Sequence, residues 1–496
     1  MRWFSVIRPR QGAFLLSAVS AALVVLTSSS VCAAAADPQT AIKPGQIAST
    51  FEQLRVTEVA DQLIGYLGKA VKWVDTPESR VPVQTLAPKI RAVVLAHPEV
   101  RLARTQRTTA TMATREAYSG FLPQVSGNVE SGKRNYEQVN TPWNFSPAHE
   151  DNSKALALSA RQLIYDFGAT SCLVDARNTL ETAAQARSDL KSSELTLRAL
   201  TAWLEIFRGR QMQELTRMNV QSRQQILSFI EEREKLGGSA QSDVLRARAR
   251  LADAQVAAVA AQTRLSAAEA VFFEVFNEAP PPQLALPQLT LDSLQRYTNL
   301  TEVFERSAQL TEARAQTQAA GFEAKSAAAA VLPSVHLDLT ARRRDLGGQG
   351  VPGTDWTAGF TVKQNLYSGG ADVARKQQAE QRAIESQLAE DNLKRQLERA
   401  LAQSVADVKS STAAVAARKE AAQVAAVALE AVREQFAFRR GSLLDLLRAQ
   451  EELYIAGRDL IDGIVDHSLV RYRLLHLAME LNPIFDIPVG TPETGK

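Results

Sequence analysis

Cysteine is almost missing from these 496 residues: only Cys32 and Cys172 occur, and Cys32 lies in the leader described below. Once that leader is removed no intramolecular disulfide can form, so stability must come from packing or assembly. Histidine is nearly as scarce. His97, His149, His336, His467 and His476 show no metal-ligand spacing, and no nucleophile motif appears. The glycine cluster Gly347, Gly348 and Gly350 is not followed by Gly-Lys-Ser/Thr, which leaves it a turn rather than a phosphate cradle. The chain is therefore expected to be no enzyme, with no catalytic, cofactor or metal residues. Charge of one sign is lacking too. The net charge is only +3, which argues against a nucleic-acid partner. Beyond the N-terminus no segment reads as long and apolar enough for a membrane helix, so any membrane crossing is expected to be made by strands.

The N-terminus is different. Arg2, Arg8 and Arg10 precede an apolar stretch at 13–26 and the small residues Ala34, Ala35 and Ala36. That order reads as a secretory signal peptide over 1–36. Its roughly 14 apolar residues fall short of the ~20 that a spanning helix needs. A lipid-anchored start at Cys32 is the alternative, although Ser29, Ser30 and Val31 do not form a lipoprotein cleavage box.

Self-similarity organises the rest. Ala103-Arg104-Thr105-Gln106 returns as Ala313-Arg314-Ala315-Gln316, and Phe121-Leu122-Pro123-Gln124-Val125 as Val331-Leu332-Pro333-Ser334-Val335, both offset by 210. Gln162-Leu163-Ile164-Tyr165-Asp166-Phe167-Gly168 returns as Gln364-Asn365-Leu366-Tyr367-Ser368-Gly369-Gly370, and Asp243-Val244-Leu245-Arg246-Ala247 as Asp445-Leu446-Leu447-Arg448-Ala449, offset by 202. Tyrosine and aspartate thus stand 78 residues apart in both halves, one rigid element duplicated. About eight extra residues fall between Pro123 and Tyr165, where Asn140, Pro142, Asn144, Pro147 and Asn152 read as a surface loop.

Those 78-residue intervals are helical. Residues 169–236 hold no proline and only Gly209, residues 371–438 neither, and apolar residues such as Leu190, Leu197, Leu200, Leu204 and Phe207 recur at helical spacing. Each predicts a helix of roughly 68 residues, about 100 Å long at 1.5 Å per residue. Shorter helices are expected at 83–120, 242–276, 300–330 and 443–481. Two such helices stacked end to end match one long one, giving two continuous and two broken columns of equal length. The break is Asn277-Glu278-Ala279 followed by Pro280, Pro281 and Pro282, a mid-height linker no helix can cross. Alanine-rich helices alone would equally suit a coiled-coil rod.

Strands argue for more than a rod. Ser334 to Arg342 and Trp356 to Lys363 alternate apolar with polar residues, as do Val125, Gly127 and Val129 against Gln124, Ser126, Asn128 and Glu130, with a weaker strand around Leu156 and Leu158. Period two with charge on one face marks a strand wet on one side and apolar on the other, one hairpin per half. Four strands cannot close a barrel, and lipid does not tolerate open edges, so a membrane role demands oligomerisation; three copies supply twelve strands. Tyr118, Phe121, Tyr165, Phe167 and Tyr367 sit where strands meet helices, as an interfacial girdle or as junction packing.

The signal peptide, the duplicated hairpins, the Leu-Pro strand starts, the Tyr165-Asp166-Phe167-Gly168 and Tyr367-Ser368-Gly369-Gly370 helix starts, and the run from Phe438 to Gln450 together resemble the TolC-like outer-membrane efflux family. The resemblance implies a mainly α chain with membrane strands. Three copies would form a twelve-stranded barrel in outer-membrane lipid, continued by a long periplasmic α-helical barrel. It divides the chain into 1–36 signal peptide, 37–84 N-terminal extension, 85–277 first repeat, 278–299 linker, 300–482 second repeat and 483–496 tail. As partners it implies a homotrimer, a periplasmic adaptor (membrane fusion) protein and an inner-membrane ABC or proton-driven pump. The segment Gly441 to Gln450 looks most like members serving type I secretion; multidrug or metal efflux is the alternative, and a periplasmic coiled-coil adaptor or scaffold the rival from another class.

In such channels the periplasmic tip is lined by acidic residues. Asp445 matches one of them, whereas Arg448 stands where another acid often sits, and Asp243 with Arg246 repeats the pairing. Two compatible readings follow. The first is local helix capping, since Ser442 and Asp445 have capping-box spacing and an acid in a first turn favours the helix dipole; the second is that Asp–Arg pairs between neighbouring helices hold the tip shut.

Overall fold

The computed structural model describes residues 80–136, 139–141, 144–145, 149–284, 286–288, 294–344, 353–438 and 440–488, which all belong to the unit Leu54–Lys496. The signal-peptide reading, the lipid-anchor alternative and nearly all of the extension at 37–84 lie outside them.

In the first half a short strand β1 (Arg80–Pro82) leads into α1 (Val83–Ala96) and α2 (Pro98–Tyr118). The hairpin strands β2 (Gln124–Tyr136) and β5 (His149–Tyr165) flank the small pair β3 (Val139–Thr141) and β4 (Asn144–Phe145), followed by α3 (Ala169–Lys235) and α4 (Gln241–Phe276). After β6 (Leu286–Gln288) the second half repeats the order: α5 (Leu300–Arg306), α6 (Ala308–Ala329), β7 (Ser334–Arg344), β8 (Gly353–Lys363), α7 (Ala371–Ala437), α8 (Leu443–Leu477) and a short α9 (Leu481–Ile484). The long helices α3 and α7 are 67 residues each.

Three expectations need adjustment. The first helix of each half is broken, at His97 and at Ser307, positions related by the same offset of 210. Pro98 lacks the N–H a continuous helix would use, and both breaks are sealed by side chains. His97 Nδ1 accepts from Glu99 N at 3.3 Å, and Ser307 Oγ accepts from Leu310 N at 3.3 Å. The last long segment ends at Leu477 rather than 481, because Met479 turns to a positive φ of 56°. Finally, α4 does reach the length and apolarity of a membrane span, with a mean hydropathy of 1.2 over its best window. Alanine accounts for that value, since 252–270 is alanine-rich and small residues let α4 lie close against α3. At Gly209 a Cβ would stand 2.9 Å from Leu265 Cδ1 and 3.3 Å from Leu265 Cα, so glycine alone permits this approach.

The helix starts explain the repeated Tyr-x-x-Gly motif. Gly168 and Gly370 adopt φ of 88° and 86°, a conformation glycine takes without strain, which swings the chain from strand into helix. In the first half Asp166 accepts from Gly168 N (3.1 Å) and Thr170 N (2.7 Å); in the second Ser368 Oγ accepts from Asp372 N (3.3 Å).

Packing gives the column arrangement. Nearer the sheet, α2 lies against α3, α3 against α6 and α6 against α7; nearer the tip, α4 lies against α3, α3 against α8 and α8 against α7. Broken and continuous columns thus alternate, one layer thick, with α7 at one edge and the α2–α4 column at the other. The main core gathers at mid-height, where Leu200, Leu204, Phe272, Phe276, Leu460, Val465 and Tyr472 are buried together. Phe272 and Phe276 stack at 4.1 Å beside Trp203, and Lys89 lies 5.7 Å over the Trp203 ring.

The linker is pinned at the same height. Three successive prolines leave carbonyls with no neighbouring N–H in the run, and Arg210 of α3 answers all three, donating to Pro281 O (2.5 Å), Pro282 O (2.9 Å) and Pro280 O (3.4 Å). Beyond them β6 pairs in parallel with β1, Arg80 opposite Leu286 and Pro82 opposite Gln288, and Tyr472 donates to Pro287 O at 3.4 Å.

Candidate channel surfaces and tip

The sheet order is β2-β5-β7-β8, antiparallel throughout. Because side chains alternate, residues paired across strands share a face. Val125 pairs with Ala160 and then Leu339 and Ala358; Gly127 with Leu158, Ala341 and Trp356; Leu337 with Phe360 and Val335 with Val362. The alternation seen separately in four strands therefore falls in register as one apolar face. It is bare: Val129 is 74% exposed and Trp356 77%. The opposite face is polar and internally paired, with Arg161–Asp338 at 2.7 Å, Arg342–Glu130 at 3.0 Å and Arg344–Asp355 at 3.1 Å. His336 belongs to that face, bonded to Ser334 at 3.1 Å.

β2 and β5 each run two residues beyond the positions equivalent to the ends of β7 and β8, so the eight extra residues partly lengthen strands and only partly the loop. At the other end of the sheet Tyr118, Phe121, Tyr165, Phe167 and Tyr367 are all exposed within the chain, and Leu366 is 91% exposed. Tyr118 meets Phe121 edge-on at 5.8 Å and Tyr165 meets Phe167 at 4.7 Å. They pair locally but are not buried as a core.

At the opposite extreme the two helical turns lie side by side. Phe229 of α3 meets Phe436 of α7 at 6.0 Å, and Arg233 stacks over the same ring. Of the four tip residues, Asp243 and Arg246 pair within α4 at 3.7 Å, one turn apart. Asp445 turns to its own helix start: Ser442 Oγ accepts from Asp445 N (3.2 Å) and donates to Asp445 Oδ2 (2.6 Å). That hydroxyl holds the Asp445 carboxyl below the usual carboxylate range, with Arg448 adding a smaller pull. Within one chain these residues interact inside their own helices rather than between neighbours. The equivalent of Ser442 in the first half is Ala240, which cannot cap, and this leaves Asp243 to Arg246.

Two clusters escaped the sequence reading. Arg223, 2% exposed, reaches from α3 to α8, donating to Leu447 O at 3.2 Å and pairing with Glu451 at 2.8 Å, beside a Gln450–Ser222 bond of 2.8 Å. Burial lowers its pKa and Glu451 opposes that. Nearer mid-height a cavity of about 730 Å³ opens between α3, α4, α7 and α8, lined by Glu205, Arg208, Arg264, Arg418, Asp462 and Asp466 among others. Arg208 holds Asp466 at 2.5 Å and Asp462 at 3.7 Å. Desolvation raises the carboxyls of Glu205 and Asp462 while Arg208 pulls them back. The spacing Asp459, Asp462, Asp466 along α8 was the available signal. No group of metal-ligating residues assembles among the described residues.

An exposed apolar sheet joined to two helices of about 100 Å narrows the possibilities to a membrane-inserted conduit, and the family comparison decides it. The model of the outer membrane efflux protein family matches residues 90–273 and 299–463, covering both repeats. The chain belongs to that family. It is 24% identical over 373 residues to the outer membrane efflux protein BepC of Brucella suis, covering 73% of this chain and 77% of that one. Among solved structures its fold is similar to the outer membrane protein VceC of Vibrio cholerae, with TM-score 0.71, 19% identity, and 80% and 96% of the two chains covered. The MtrE channel of Neisseria gonorrhoeae in its open state gives TM-score 0.67 at 16% identity, covering 80% and 88%.

This efflux-family protein is thus an outer-membrane channel component extending into the periplasm. The apolar face of its sheet is the lipid face, the ion-paired face lines the pore, and the helices are the periplasmic extension. The junction aromatics cluster at the helix end of the sheet.

Proposed function

We propose that three copies close into a twelve-stranded barrel continued by a helical tunnel, and that this conduit is the exit of a tripartite system. An adaptor and an inner-membrane pump deliver the cargo. The observation that carries closure is the four-stranded sheet with a bare apolar face and two unpaired edges, β2 and β8. The edge helices α4 and α7 support it, exposing Val256 and Val259 on one and Val424 and Val427 on the other, a matched pair of apolar stripes for neighbouring copies. Heat-resistant trimers in detergent extracts of outer membranes are expected; a monomer that unfolds in one step with no higher species would refute closure. The division of the chain at 36, 84, 277, 299 and 482 belongs to the same proposal.

Type I protein secretion driven by an ABC pump is the favoured cargo route, supported by the likeness of Gly441 to Gln450 to that branch. Multidrug or metal efflux by a proton-driven pump is the second reading, favoured by the 24% identity to a protein described as an efflux protein. Deleting the gene separates them. Loss of one secreted protein from the medium supports the first; raised sensitivity to small toxicants with an unchanged secretome supports the second. In either case Asp445, Arg448, Asp243 and Arg246 are proposed to set the resistance of the closed tip. Unchanged single-channel conductance in Asp445→Asn with Arg448→Gln would retire that role and leave capping alone.

A further inference from the structure

The lipid face is not apolar to its end. In the rows farthest from the helices, Ser131 pairs with Lys154, Lys133 with Asn152, and Leu156 with Arg343, which itself pairs with Thr354. By strand alternation Lys133, Lys154 and Arg343 stand on the same face as Val129, Leu158 and Trp356. They occupy three adjacent strands, Lys154 being the diagonal neighbour of both Lys133 and Arg343, within the roughly 7–8 Å at which such positions interact. All three are exposed. No carboxylate shares that face among the strand positions whose side chains are described. No ion pair to any of the three is found among the described residues.

The pore face behaves oppositely. Its bases at the same height are neutralised one by one, Arg342 by Glu130 and Arg344 by Asp355. Among the described side chains, the sheet thus pairs its bases toward water, where pairing matters least, and leaves Lys133, Lys154 and Arg343 without an ion pair toward lipid, where pairing matters most. A lone cation facing lipid is expensive unless it reaches the interface and finds an anion there.

The height fits. From Val335 to Arg343 the strand advances eight residues. That is about 27 Å at ~3.4 Å per residue, or about 21 Å along the normal at a tilt near 40°, close to the ~25 Å apolar band of outer-membrane barrels. Trp356, one row below Arg343, marks the boundary as interfacial tryptophans do.

We propose that Lys133, Lys154 and Arg343 form a headgroup site for a phosphorylated lipid of the outer leaflet, the three cations clasping its phosphates from the barrel's outer wall while the acyl chains lie along Val129, Leu158 and Trp356. A guanidinium grips phosphate with paired donors and the two ammonium groups add point charge. Three copies carry three such sites.

The test uses the full-length channel in detergent, titrated with bisphosphorylated lipid A, with phosphate-free lipid A and with inorganic phosphate, counting bound molecules by native mass spectrometry. The expected result is binding of the bisphosphorylated lipid that weakens at least about tenfold, the loss of one charge-assisted hydrogen bond or more, in the Lys133→Gln, Lys154→Gln, Arg343→Gln triple variant. Arg382→Gln, an exposed base on α7 outside the sheet, should change nothing. If the triple variant fails to assemble, the three single variants are read instead, each expected to bind more weakly than wild type. Equal affinity for the phosphate-free lipid, equal binding by the variants, or inorganic phosphate binding as tightly as the lipid would each overturn the proposal.

Discussion

Removing the Glu451 carboxylate strands a charge inside the tip. Arg223 is 2% exposed and has two acceptors, the Leu447 carbonyl at 3.2 Å and Glu451 at 2.8 Å. Glu451 itself is 43% exposed, so its own charge is well solvated. The two ends of this pair should therefore respond unequally. Glu451→Ala leaves a buried guanidinium with one neutral acceptor; breaking a buried pair costs ~3–5 kcal/mol, and the half-exposed partner reduces this to about 2–3 kcal/mol. Arg223→Met removes the buried charge and fills its volume, while Glu451 turns to water and Leu447 O keeps its place in the helix. That change should cost about 1 kcal/mol or less. Glu451→Gln, which keeps an acceptor, should fall between. The assay is thermal unfolding of the purified channel followed by helix ellipticity, with the variants run side by side. If Arg223→Met destabilises as much as Glu451→Ala, the reasoning fails, because the arginine would then be contributing by its contacts rather than imposing a cost that Glu451 offsets.

Three further outcomes are expected. Gly209→Ala forces a Cβ into Leu265 and should cost ~1–3 kcal/mol. Combined with Leu265→Ala, it should be less than additive by at least ~0.5 kcal/mol in denaturant unfolding, and strict additivity would show that the helices part elsewhere. Arg210→Met should orphan the carbonyls of Pro280, Pro281 and Pro282 at ~1–3 kcal/mol and open the linker to proteolysis; wild-type resistance would mean the prolines hold themselves. His476 is half-buried against Ser193 at 2.8 Å, and desolvation lowers its pKa below 6.5, with Glu194 opposing. Since the unfolded chain takes up the proton first, His476 should subtract stability as the pH falls below about 6.5, and His476→Asn should flatten the melting temperature over that window.

Much of this architecture was legible because it is written in periods. The 67-residue helices announce themselves by the absence of proline and near-absence of glycine, and the hairpins by alternation, since burial on one side of a thin wall repeats faithfully along an element. What could not be read is what joins elements. Pro98 marks the break at His97, whereas the break at Ser307 hid because one serine is a weak mark inside a helical pattern. Arg223 hid because a buried arginine on a helix looks like any exposed one until its partner, 228 residues away, is known. At the tip, Ser442 draws Asp445 back onto its own helix start, the bond that capping-box spacing foretold.

The parallel pairing of β1 with β6 has a practical consequence. Arg80 is fastened beside Leu286, at the level where the broken columns meet, so whatever is joined to the chain ahead of it sets out from the waist of the molecule. A fluorophore or affinity handle grafted there would survey the middle of the periplasm and be blind to both membranes. A reporter of the rim or of the tip has to be built into the hairpin loops or the helical turns instead.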